Sequence, residues 1–224
     1  MKKIAFLLFF TVSLTFSQET ITKRLGDFDE LKVFNGLNVE LEKSSQSKIE
    51  ISGNKAEDIT VKNSNGTLKI RLKFPEGFVA DDVKIKLFYN EPISVIDANE
   101  GAVITSSKKL KQPHLEVKVQ EGAGIILEVN VKHLEVKCVT GGIINLSGKA
   151  ENQTIETTTG GNYSAYGLDA DTVIVTAASG ARAEVIANES LNAQVRFGGK
   201  VRYKGTPEVL KTKKTLGGSI QSRN

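Results

Sequence analysis

The side chains able to do chemistry are few, and their spacing says more than their types. Two histidines occur, His114 and His133, nineteen residues apart. Neutral imidazoles brought side by side could share a metal ion, although two ligands make a weak site. Four carboxylates, Glu151, Asp171, Glu189 and Glu208, recur at intervals of 20, 18 and 19 residues. Stacked one above another they would repel unless water screened them or a cation such as calcium bridged them. Arg196, Lys200, Arg202 and Lys204 fall on nearly alternating residues, which on a strand turns several of them to one outward face. That face could bind anions. The single cysteine, Cys138, has no disulfide partner within the chain. It falls among strand residues that point inward, where a thiol behaves as a small hydrophobe.

Nothing in this set assembles a catalytic centre. The sequence contains no Gly-x-Ser-x-Gly elbow, phosphate loop or paired-histidine zinc motif, and no cofactor is expected. Repetitive β scaffolds can carry polysaccharide lyases and hydrolases, so a carbohydrate-active enzyme is the alternative to a non-catalytic binding or structural module. Such an enzyme moves protons to and from the sugar at the reacting bond and needs acids and bases grouped in a groove. A groove lined by two or more carboxylates from neighbouring coils would separate the two readings.

The elements that position these residues come from a repeat. Pairs of small residues recur as Gly101-Ala102, Gly122-Ala123, Gly141-Gly142, Gly160-Gly161, Gly180-Ala181, Gly198-Gly199 and Gly217-Gly218, the first glycines being spaced by 21, 19, 19, 20, 18 and 19 residues. Seven, five and three residues before the glycine stand Leu115, Val117 and Val119, then Leu134, Val136 and Cys138. Gln153, Ile155 and Thr157 follow, then Val173, Val175 and Ala177, then Leu191, Ala193 and Val195. Charged and polar residues alternate with them, the pattern of a strand buried on one face.

One corner per repeat of about 19 residues fits one coil of a parallel β-solenoid better than an array of hairpins. At roughly 3.3 Å per residue a coil has a contour of about 60 Å, enough to close around a core about 10 Å thick. Successive coils then stack about 4.8 Å apart. The corner glycines would form a ladder where the chain turns with no room for Cβ. His114 and His133 would stack on adjacent coils, and the four carboxylates would line up on four successive ones.

Residues from about 20 to 90 read differently, as alternating runs at 37–41, 48–51, 59–62, 67–72 and 83–89. Asn65-Gly66 between two of them is the strongest short hairpin signal in the chain. These antiparallel strands are expected to cap the first coil, since an open solenoid end exposes a strand edge. The glycine-cornered repeats then run from about 91 to 220.

Met1-Lys2-Lys3, the apolar run from Ile4 to Phe16 and the small residues Thr15 and Ser17 have the layout of a secretory signal peptide over residues 1–17. The run is short of the roughly 20 residues that span a bilayer, and no later segment could cross one. The expected product is one domain, residues 18–224, in the periplasm, on the outer surface or secreted. Its charge is split. Ala181–Asn224 carries nine Lys or Arg against three acids, +6, whereas Gln18–Gly180 carries 19 against 23, −4. An exported protein so weakly basic overall is not expected to meet nucleic acid. Its basic end could meet an anionic glycan or the envelope surface. The sequence carries no signal for its oligomeric state.

The order of three segments resembles a known family. Phe28-Asp29-Glu30-Leu31-Lys32-Val33-Phe34-Asn35-Gly36-Leu37-Asn38-Val39-Glu40-Leu41 comes first, then Asn65-Gly66-Thr67-Leu68-Lys69-Ile70. The glycine repeats then end in Val201-Arg202-Tyr203-Lys204-Gly205-Thr206-Pro207. Together they are similar to the head GIN domain family of auto-transporter adhesins, common in Bacteroidota, over roughly Phe28 to Ile220. Many members carry Ser-Gly-Ala-Gly at each corner, and here only Glu121-Gly122-Ala123-Gly124 comes close. The resemblance implies a parallel β-helix and an exported location, and it supplies no catalytic residues.

Overall fold

A computed structural model describes residues 20–73 and 83–224. The signal segment read over residues 1–17 lies outside the described residues. The N-terminal strands are β1 (Thr20–Arg24), β2 (Glu30–Val33), β3 (Asn38–Lys43), β4 (Lys48–Ser52), β5 (Ile59–Ser64), β6 (Thr67–Leu72) and β7 (Lys84–Tyr89). The coils follow as β8 (Val95–Ala98), β9 (Val103–Ser106), β10 (Leu110–Val119), β11 (Gly124–Cys138), β12 (Ile143–Thr157) and β13 (Asn162–Ala178). Then come β14 (Arg182–Ile186), β15 (Ser190–Arg196), β16 (Lys200–Lys204), β17 (Val209–Thr215) and β18 (Ser219–Ser222). From β8 onward every pairing is parallel, and all eighteen strands belong to one hydrogen-bonded network. The chain is a β-solenoid.

The glycine spacings are the register of the stack. Val117 pairs with Ile96 and Val136 with Val117, steps of 21 and 19. Ile155 pairs with Val136 and Val175 with Ile155, steps of 19 and 20. Ala193 pairs with Val175 and Thr212 with Ala193, steps of 18 and 19. The extra residue in the step of 20 is taken up by a register shift between Asn145 and Ser147. Before each corner the inward positions are buried in every coil through β15, Gln153 and Thr157 included. After each corner, Ile104, Ile125, Ile144, Tyr163, Ala183 and Val201 form the facing wall of the core.

Each corner is a two-residue turn with both central residues at positive φ, for example Thr140 at 49° and Gly141 at 71°. It is closed by the Gly142 N–H donating to the Val139 carbonyl at 2.9 Å. This is the type I′ geometry of a tight hairpin, yet the segments flanking it, 134–138 and 143–147, pair in parallel with the coils before and after and not with each other. The tips also bond to one another. The Gly122 N–H donates to Thr140 O at 3.1 Å, Gly141 to Thr159 O at 3.0 Å and Gly160 to Ser179 O at 3.1 Å.

The expectation that a side chain has no room at these glycines is corrected. A Cβ at Gly141 or Gly160 would meet no atom within 4 Å, and what demands glycine there is a φ of 71° or 73°. Crowding falls one residue later, at Gly161, where a Cβ would lie 2.3 Å from the Cys138 carbonyl oxygen. Other coils hold a buried alanine at that place, Ala102, Ala123 and Ala181.

The N-terminal strands include the expected antiparallel pairs and, in addition, a coil of their own. The Asn65-Gly66 hairpin is present, joining β5 and β6 antiparallel, and β4 lies antiparallel to β1 and β7. The pair β2 and β3, however, is itself a coil. It stacks in parallel on β8 and β9 and carries β6 and β7 in parallel on its other side. Its corner, Asn35-Gly36, has the same positive φ pair, and the Gly36 N–H donates to Glu100 O at 2.8 Å. The turn ladder therefore starts 65 residues before Gly101.

All seven residues of β17 are exposed, including Leu210, Thr212 and Lys214, which align with the buried Leu191, Ala193 and Val195. No helix among the described residues is long and apolar enough to cross a membrane.

Candidate functional site

A second bend lies opposite the turns, where two successive side chains point outward. It carries both chemical ladders read from the sequence. His114 and His133 are partners in register, and their rings stack with centroids 4.8 Å apart and planes 13° from parallel. Ring-plane lone pairs in such a stack run side by side and do not converge on one point. Glu151, Asp171, Glu189 and Glu208 occupy the neighbouring position on four successive coils. The Glu189 N–H donates to the Asp171 carbonyl at 3.0 Å and the Val209 N–H to that of Glu189 at 3.1 Å. Among the described residues no group of three or more His, Cys, Asp or Glu is arranged to hold a metal ion.

Cys138 is buried and donates to the carbonyl oxygen of Gly142 at 3.1 Å. Burial pushes its thiol up to about 11, so the reactive thiolate is scarce near neutral pH. Next to it the core turns polar. Tyr163 donates its hydroxyl to Gln153 Oε1 at 2.9 Å, both side chains being almost fully buried. Among the described residues nothing hydrogen-bonds to Gln153 Nε2. Burial raises the Tyr163 hydroxyl far above its ordinary range, which keeps it a donor.

The basic residues divide at a corner. Arg196 ends β15, before the turn, whereas Lys200, Arg202 and Lys204 alternate along β16, after it, and all four are exposed. Lys200 and Arg202 extend a surface that reasoning on residues before the glycines did not find. Two and four residues after each corner glycine, the outward positions form two ladders along the solenoid. One runs Ile143, Asn162, Arg182, Lys200, and the other runs Asn145, Ser164, Glu184, Arg202. Between them is a shallow depression of about 210 Å³ lined by most of these side chains. Arg202 pairs with Glu184 at 3.2 Å. Lys204 lies over the Tyr166 ring, 4.7 Å from its centre. The signal for Arg182, Asn162 and Ser164 was available by aligning the residues that follow each corner.

A second depression is lined by Lys69, Arg71 and Lys73 with Glu100 as its carboxylate, and a third, at the outer bend, has Glu151. Each of these three described depressions thus has one carboxylate. Hydrolysis of a glycosidic bond ordinarily employs two.

A family model described as "Putative auto-transporter adhesin, head GIN domain" matches residues 27–207. Among solved structures, a putative adhesin from Bacteroides fragilis superposes with a TM-score of 0.84 at 19% identity, covering 95% of this chain and 100% of that one. A putative adhesin from Parabacteroides merdae gives 0.71 at 20%, with coverage of 94% and 98%. A protein from Parabacteroides distasonis named a putative lipid binding protein gives 0.74 at 18%, with coverage of 94% and 98%. At such identities the likeness is one of fold. No functionally curated protein matches the chain.

Proposed function

Since the chain belongs to the head GIN domain family, we propose that it works outside the cytoplasm as a non-catalytic, adhesin-like module that holds to the cell envelope through its basic C-terminal end. The observation that carries this reading is the placement of Lys200, Arg202 and Lys204 on one outward strand, with Arg196 just across the corner. A solenoid is rigid, so the segregation of +6 against −4 along the sequence is also segregation along the long axis. Regularly spaced charges, each contributing little, together give avidity for a repeating anionic surface. The family description and the names of the adhesin-like neighbours agree with this use of the fold. A carbohydrate-active enzyme would call for a second carboxylate in one of the depressions.

Two results are expected. Protein recovered from the exported or envelope fraction begins near Gln18 on N-terminal sequencing, whereas soluble cytoplasmic protein with Met1 intact would end the export reading. Retention of the purified protein on isolated envelopes weakens as salt rises, because exposed charges are screened beyond about 8 Å at physiological ionic strength. Replacing Arg196, Lys200, Arg202 and Lys204 with Gln reduces retention at low salt without unfolding the protein, since all four side chains are exposed. Unchanged retention by the folded variant would leave these charges as a solubility device that also protects strand edges.

A further inference from the structure

We propose that the depression between the two ladders is a subsite for a carboxylated glycan. Arg182 and Lys200 would hold a sugar carboxylate, and Asn145, Asn162 and Ser164 would take up hydroxyls. The inference rests on the reading of the protein as an envelope-binding module and names what its basic end recognises.

The argument begins with two cations in register. Arg182 and Lys200 are direct partners on adjacent strands β14 and β16, so their backbones are separated by about one strand spacing, roughly 4.8 Å. Like charges directly opposite each other on a sheet destabilise it. Along the same strands Arg202 is neutralised by Glu184 at 3.2 Å, but neither Arg182 nor Lys200 makes an ion pair with the described residues. An anion bridging these two groups would relieve the repulsion. A carboxylate matches the fork of a guanidinium and accepts charge-assisted hydrogen bonds from both side chains.

The rest of the lining selects among anions. Toward the N-terminal end the ladders continue with Asn162, Ser164 and Asn145, amides and a hydroxyl that both donate and accept. Those are the partners that sugar hydroxyls need. A flat lipid headgroup surface calls for cations throughout, whereas beyond Arg182, Lys200 and the Arg202–Glu184 pair this lining is neutral and polar. From Asn145 to Arg202 the ladder rises three strand spacings, about 14 Å, the length of a few sugar rings in an extended glycan. Ile143, 46% exposed, borders this end and offers an apolar contact for the C–H face of a ring.

The test measures binding of the full mature chain to polygalacturonate at low salt. Its methyl ester serves as the uncharged comparator and phosphatidylglycerol vesicles as the membrane comparator. Wild type binds polygalacturonate and not the ester. The double variant Arg182→Gln/Lys200→Gln loses at least about tenfold in affinity, the scale of two modest charge contacts. Asn162→Ala/Ser164→Ala weakens binding with the net charge unchanged. Lys211→Gln/Lys213→Gln removes the same charge from the exposed strand β17 and leaves binding within about twofold. Equal losses from the 182/200 and 211/213 pairs would overturn the subsite in favour of net charge alone. Equal binding to the ester would overturn the role of the carboxylate. Binding to vesicles without binding to polygalacturonate would overturn the glycan assignment and keep the envelope reading, as would retention on envelopes without polygalacturonate binding. Failure to bind either probe or isolated envelopes would overturn both. Circular dichroism of each variant confirms that it is folded.

Discussion

Gly161→Val is expected to cost about 4 kcal/mol or prevent folding, whereas its neighbour Gly160→Val costs about 1–3 kcal/mol. The two glycines are adjacent and fail for different reasons. Gly160 has a φ of 73° with open space where a Cβ would go, so the penalty is that of a branched residue held in the left-handed region. Gly161 is not at positive φ, but its Cβ would stand 2.3 Å from the Cys138 carbonyl oxygen and 2.8 Å from Thr157 Oγ1. The carbonyl cannot move alone, because it accepts the Thr158 N–H at 3.0 Å in the ladder that joins the two coils. Relief means parting the coils locally, which exceeds the usual 1–3 kcal/mol of overpacking. Urea midpoints of the two variants measure the difference. Equal midpoints would show that coil spacing at Gly161 yields freely and that φ alone governs the corners.

That contrast also marks how far the residues alone could be read. A parallel solenoid repeats its turn and its strand register together, so the glycine spacing and the inward ladder of Leu, Val and Ala were both legible. The stacking of His114 on His133 followed from the same step of 19 residues. What the period could not convey was which glycine of each pair is crowded, because that depends on how closely a carbonyl of the preceding coil approaches. Nor could it show the coil built from β2 and β3. Its corner, Asn35-Gly36, is separated from Gly101 by the inserted strands β4 to β7, and a period interrupted for 65 residues is no longer a period in sequence. Arg182 belongs to a third case. Its ladder was present in the residues after the glycines, but its partners change type from Ile143 to Asn162 to Lys200, so no chemical signature repeats.

The buried pair Tyr163 and Gln153 gives the last expected result, one in which two substitutions together do less harm than either alone. Gln153 stands in a column of Leu134, Val173 and Leu191, and Tyr163 in a column of Ile144 and Ala183. Each is an exception in its own column, and they meet across the core at 2.9 Å. Tyr163→Phe removes the donor and leaves Gln153 Oε1 without a partner away from water, a cost of about 1–3 kcal/mol. Gln153→Met removes the acceptor and strands the Tyr163 hydroxyl in the same way. Its cost is smaller, because the amide Nε2 already lacks a partner and its loss is a gain. With both changes the site is apolar at nearly unchanged volume, and replacing both members of a buried polar pair by apolar groups of like shape can be close to neutral. The double variant is therefore expected within about 0.5 kcal/mol of the parent or above it, with a coupling energy of about 1–2 kcal/mol from the four-protein cycle. Purely additive losses in urea unfolding would mean that the hydrogen bond contributes nothing beyond packing, and that the polar pair is tolerated in the core without being coupled.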